Sequence, residues 1–252
     1  MSPAFFVLDE GRADKGRPLW YNYLDCAIIW QKHDRDGEID MLIASYNPAV
    51  MGDVLVILTA PDTDAQTVNQ KDDVVAITDE KSGNLLGYNF LNASQILPEL
   101  QGQNGEVALT SDEVAKLNQT AQAAGFDHEL VLDTTPHFQV GYVEEVSDHP
   151  KSDHLHITKV NLGDHVQQIV CGSVNLRNHI KVVVANVGTM MPDGKIIWPG
   201  KLLGVESDGM ICAPRELALK NAPQKPGCLI LDDEFAENGA AFDFKRGNEL
   251  FA

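Results

Sequence analysis

The sequence predicts two domains, an α+β first half followed by a small all-β barrel or sandwich. Three observations carry that expectation. The chain has 252 residues, room for one large domain or two ordinary ones at about 100–200 residues each. Charge divides unevenly at His137: residues 1–137 hold 8 Lys+Arg against 22 Asp+Glu, and residues 138–252 hold 11 against 15. The structural signals change at the same place, from strands mixed with a helix to short strands with turns. Thr134-Thr135-Pro136 forms a natural boundary, so we place the domains at 1–133 and 134–245.

In the first half, Cys26–Lys32 and Ile39–Ser45 flank an Asp36-Gly37 pair, a hairpin signal. Val54–Thr59 and Val74–Thr78 are β-branched runs, and Leu85–Phe90 follows a turn at Ser82-Gly83-Asn84. Thr110 and Glu113 have capping-box spacing. Val114, Leu117, Ala121 and Ala124 then recur at helical spacing, and Gly125 stands where a helix would end. The second half reads as strands at Gln139–Val146, Leu155–Leu162, Gln167–Cys171, Lys181–Val187, Met210–Cys212 and Gly227–Leu231, with one short helix at Arg215–Leu219. Strands this short, separated by Gly, Pro, Asn and Asp, suit a small barrel or sandwich.

Composition removes several classes. With 44% hydrophobic and 22% charged residues, the chain is globular rather than disordered. Its apolar runs are strand-sized, well short of the roughly 20 residues of a membrane helix. The N-terminus has no basic region ahead of its apolar stretch, so no signal peptide is expected and the cytoplasm is the default location. Cys26, Cys171, Cys212 and Cys228 are scattered among apolar neighbours, as core residues are. A net charge of -18 argues against a general nucleic-acid coater. Phe138–Cys228, however, balances nine bases against nine acids, so a polyanion would meet least repulsion there.

No catalytic signature survives inspection. Gly188 to Ile196 has one residue too many between its glycines, and Ile196 where a phosphate loop needs Ser or Thr. Ser207 stands beside Asp208 with no local base. His149, His154 and His156 lie close together with Asp153, but a metal would want a further ligand that the sequence does not identify. These read as histidines of a polar loop. No enzyme, cofactor or small-molecule substrate is expected.

The specific stretch runs from Val140 to Leu219. Its landmarks are His149-Pro150 with Asp153 and Leu155, Gln168 to Gly172 followed by Asn175, Gly188 with Met191-Pro192, and Gly204 to Cys212. In this order they resemble the tRNA-binding OB-fold module of the bacterial phenylalanyl-tRNA synthetase β chain, an EMAP-II-like barrel. Gly87 to Ser94 and Val140 to Glu144 extend the resemblance to free-standing bacterial proteins of the YtpR type. The resemblance implies an OB-fold barrel that recognises folded tRNA, and it is compatible with a homodimer. A full synthetase β chain is excluded by length.

On such a barrel, polar and basic side chains would meet phosphates and 2′-hydroxyls. The candidates are Lys151, Ser152, Asn175, Arg177, Lys181, Lys195, Lys201, Ser207 and Met210. Each also reads as an ordinary surface residue. The family's usual Leu-Arg-Gly is Leu202-Leu203-Gly204 here, which removes one cation and about one phosphate contact's worth of salt-dependent affinity. Trp198 could compensate by stacking, or pack against the barrel. A second reading makes the barrel a protein-interaction or chaperone-like dimeric module. Clustered cations would favour RNA, and an exposed patch of Ile196, Trp198 and Leu203 would favour a protein.

Overall fold

The computed structural model describes residues 41–251. The Cys26–Lys32 strand, its Asp36-Gly37 turn and Cys26 lie outside that range. The first unit is a six-stranded antiparallel sheet. It contains β1 (Ile43–Tyr46), β2 (Val54–Leu58), β3 (Gln66–Lys71), β4 (Val74–Asp79), β5 (Leu85–Leu91) and β6 (Gly105–Glu106), in the order β3-β4-β5-β2-β1-β6. Helical turns α1 (Pro48–Met51) and α2 (Ala93–Ile96) precede one full helix, α3 (Ser111–Ala123).

Local chemistry explains these elements. The α3 capping box forms as the sequence predicts: the Thr110 N–H donates to Glu113 at 2.7 Å, and the Glu113 N–H donates to Thr110 Oγ1 at 3.3 Å. Val114, Leu117 and Ala121 of α3 pack on Leu55, Ile57, Tyr88 and Phe90 of the sheet. Asn118 then pins the returning chain by exchanging two hydrogen bonds with the Leu130 backbone, at 2.8 and 2.9 Å. The β4–β5 turn is gathered by Asp79. Its carboxylate accepts the Ser82 N–H, the main reason its pKa falls to about 2.

The second unit is a small barrel of the OB type. Its spine is β7 (Phe138–Asp148), flanked by β8 (His156–Asn161), β9 (Val166–Cys171) and β10 (Ile180–Ala185). The first half of β7 pairs with β10 and the second half with β8, with a register irregularity between Val143 and Glu145. That kink lets one strand serve two sides of a closed sheet. β13 (Met210–Ile211) and β14 (Ile230–Leu231) pair with β10, and the hairpin of β11 (Gly200–Leu202) and β12 (Val205–Ser207) lies against β9. Val143, Val160, Ile169, Val182 and Val184 fill the barrel. A second cluster around Val183, Leu217, Phe235 and Phe242 lies beside it.

Three features depart from the sequence reading. β3 is a strand although its residues are nearly all polar and exposed. The helix expected at Arg215–Leu219 is a run of hydrogen-bonded turns, interrupted by Ala218 at φ +51°. Beyond it, α4 (Phe244–Glu249) packs Phe244 on the second cluster, as does Phe251, carrying the barrel unit past residue 245. The two units meet at His137, whose Nδ1 is 3.1 Å from Glu106 on β6. Among the described residues no helix is long and apolar enough to cross a membrane.

Candidate functional site

The strand directions bring three connections together. The β7–β8 loop (149–155) and the β9–β10 loop (172–179) leave the same end of the barrel, because Asp148 pairs with His156 and His156 with Cys171. The β11–β12 hairpin brings its tip to that end: a Cβ placed on Gly204 would lie 3.3 Å from Lys151 Nζ. Leu203 and Gly204 both hold positive φ, at +46° and +92°, as a two-residue hairpin turn with matched twist requires.

The candidates divide sharply by what they touch. Lys151 is exposed and, among the described residues, has no ion-pair partner. Arg177 is exposed and folds one guanidinium N–H back on the Asn175 carbonyl at 3.3 Å. Lys201 pairs with Glu206 at 3.6 Å across the hairpin. Lys151 and Arg177 sit on the loops of the open end, and Lys201 on the β11 strand of the hairpin that reaches it. Lys195 instead pairs with Asp193 at 3.0 Å, on a turn reached from the opposite end of β10.

The remaining candidates are committed to the fold. Asn175 exchanges two bonds with the Cys228 backbone, at 2.8 and 2.9 Å. Ser207 is fully buried, accepting the Val170 N–H at 3.0 Å. Lys181 Nζ donates to the Asp233 carbonyl at 2.7 Å and to that of Ala236. Ser152 Oγ closes its own loop by accepting the Leu155 and His154 N–H groups. Met210 packs on the second cluster. Each of these side chains already has a partner within the barrel.

A further exposed cation, absent from the candidates, lies near the Arg177 loop in the chain's fold. Lys225 is exposed and two residues before Gly227, where an added Cβ would meet Asn175 Oδ1 at 3.1 Å. The Asn175–Cys228 clip, which spans 53 positions, thus ties the segment just after Lys225 to the loop that carries Arg177. The Lys225-Pro226-Gly227 turn was the available signal.

The histidines go separate ways. His154 pairs with Asp153 at 3.0 Å and His156 with Asp148 at 3.4 Å, both near the surface. His149 is buried at 3% exposure beneath the Lys151 loop. Burial pushes the Cys212 and Cys228 thiols up, as expected of cysteines packed in a core. Ile196 and Trp198 are half-buried, leaving Leu203 the exposed member of its trio. The apolar patch that would favour a protein partner is not assembled from those three.

Comparison with known proteins follows this division. Residues 138–240 match the family model described as "Putative tRNA binding domain", and residues 61–133 match a domain of unknown function. The protein "Putative tRNA-binding protein YtpR" of Bacillus subtilis is 42% identical over 202 residues, covering 80% of this chain and 99% of its own. The chain belongs to the YtpR family. The phenylalanine–tRNA ligase β subunit of Sulfurimonas denitrificans is 41% identical over 110 residues, and that of Bacteroides thetaiotaomicron 44% over 109. The chain covers 13% of each of these subunits, so a YtpR-family protein shares one module with them.

Proposed function

We propose that this chain is a non-catalytic tRNA-binding protein of the cytoplasm. The open end of its barrel would dock on folded tRNA. Lys151, Arg177 and Lys225 would meet phosphates, with Lys201 as a fourth contact if tRNA displaces Glu206. One observation carries this reading: Lys151, Arg177 and Lys201 lie on the loops and hairpin gathered at one end of the barrel. Convergent charge on a rigid frame recognises the shape of a phosphate backbone without reading much sequence. A homodimer would double the contacts, and light scattering during the same titrations would count the protomers.

The test is binding of bulk tRNA against equal masses of unstructured RNA at about 50 and 200 mM salt. The expected result is tighter binding to tRNA, with a log–log salt slope of about -2 to -4, corresponding to a few phosphate contacts. No binding at the lower salt with magnesium present would overturn the reading.

A further inference from the structure

His149 is a buried histidine at the open end, and the reading above gives it no task. Its ring joins two backbone groups of opposite kind. The Lys151 N–H lies 3.1 Å from Nδ1, and the Leu202 carbonyl lies 3.1 Å from Nε2. A peptide N–H can only donate, so Nδ1 must present its lone pair. A peptide carbonyl can only accept, so Nε2 must carry the proton. The two partners together specify the neutral Nε2–H ring. His149 also donates its own N–H to the Leu155 carbonyl at 3.1 Å, closing the loop at its base.

The consequence is mechanical. The imidazole is the bolt between the β7–β8 loop, which carries Lys151, and β11, which carries Lys201. Resting on the tRNA reading, we infer that His149 is a positioning residue for RNA binding: it holds the Lys151 loop on the β11–β12 hairpin, so that both cations reach the phosphates as one rigid set. The ring itself touches no RNA. Its contribution is the ordering that would otherwise be lost on binding.

Two substitutions cut the bolt at different ends. His149→Asn puts Oδ1 where Nδ1 stands, keeping the acceptor for Lys151 but falling short of Leu202. His149→Gln reaches the Leu202 carbonyl and leaves the Lys151 N–H without its acceptor. Each variant is measured by tRNA titration in the full chain, alone and combined with Lys151→Ala, with far-UV circular dichroism reporting the fold.

Each His149 variant should weaken tRNA binding about fivefold, the scale of ordering one long side chain. In the Lys151→Ala background neither should weaken it further, since the loop that the ring holds against the hairpin then carries no lysine to place beside Lys201. Equal losses in both backgrounds, or no loss in either, would overturn the positioning role while leaving tRNA binding intact. An unmodified chain that binds no tRNA would instead overturn the functional reading on which it rests.

Discussion

The two ends of the barrel are built on opposite principles. One end is stapled. There the β8–β9 turn and the segment before α4 approach so closely that a Cβ on Gly239 would lie 2.0 Å from the Leu162 carbonyl oxygen, and one on Gly163 2.5 Å from that of Asn238. Asp164 and His165 pair with each other on the same turn at 2.6 Å. At the other end, the loops are joined through side chains such as His149 and Asn175, and their tips carry Lys151, Arg177, Val174 and Leu203 into solvent. Backbone-to-backbone contact leaves no room for a ligand. Loops fastened from beneath leave their outer surface free, and that difference is what supports placing the proposed site at the open end.

That contrast can be broken from either side. At the stapled end, Gly239→Ala should cost about 3 kcal/mol or abolish folding, because overpacking adds to a left-handed backbone at φ +83°. Chemical denaturation would measure it, and a stable variant would show that the end is looser than its geometry. Ser207→Ala comes next. It leaves the buried Val170 N–H without an acceptor and should cost about 1–3 kcal/mol, with the salt slope of tRNA binding unchanged.

At the open end the expectation reverses. Lys151→Ala with Arg177→Ala should leave the melting temperature unaltered while the salt slope shrinks by about 1.8, two phosphate contacts' worth. A fall in stability with no change in slope would assign these side chains to the fold instead. Leu203→Asn sharpens the comparison with an expected gain. Asn tolerates the left-handed turn better than Leu, so stability should rise by about 1 kcal/mol in a thermal melt.

The smallest effect belongs to the joint between the two units. The Glu106 carboxylate holds His137 protonated above its ordinary range, with nearby Asp133 adding to it and partial burial opposing. Because the folded pKa is raised, this contribution is complete below about pH 6.5 and fades as pH climbs through the higher folded value. The side chains are about a third exposed, 36% each, so the change should be slight. Melting curves between pH 6 and 8 should show it in the parent chain and lose it in Glu106→Gln.

The sequence made visible whatever depended on pattern along the chain. β2 and β4 are β-branched runs, β5 follows a Gly-containing turn, and the capping box of α3 is four residues long. β3 escaped because Gln66–Lys71, exposed on both faces, has no apolar alternation to detect. The β11–β12 hairpin escaped because its turn is Leu203-Gly204 rather than Asn-Gly. Site residues were harder for a different reason. Lys151 and Lys181 look alike in sequence, yet one ammonium stands in solvent and the other lies on two backbone carbonyls. What separates them is a partner more than 50 positions away, and single-sequence periodicity carries nothing of that.

The pairing of Gln139 with Ala241 sets an order of events during synthesis. The sheet, α3 and the Leu130 clasp of the first unit all lie between residues 43 and 130, so these described elements have one another as partners before the barrel's first strand is made. The barrel has to wait. Gln139 at its start donates to the Gly239 carbonyl, 100 positions later, and the backbone bridge to Ala241 comes later still. While a ribosome completes the chain, the acidic sheet unit therefore stands tethered beside an unclosed barrel. Its surplus of carboxylates would keep the half-made strands of neighbouring copies apart until the last staple arrives.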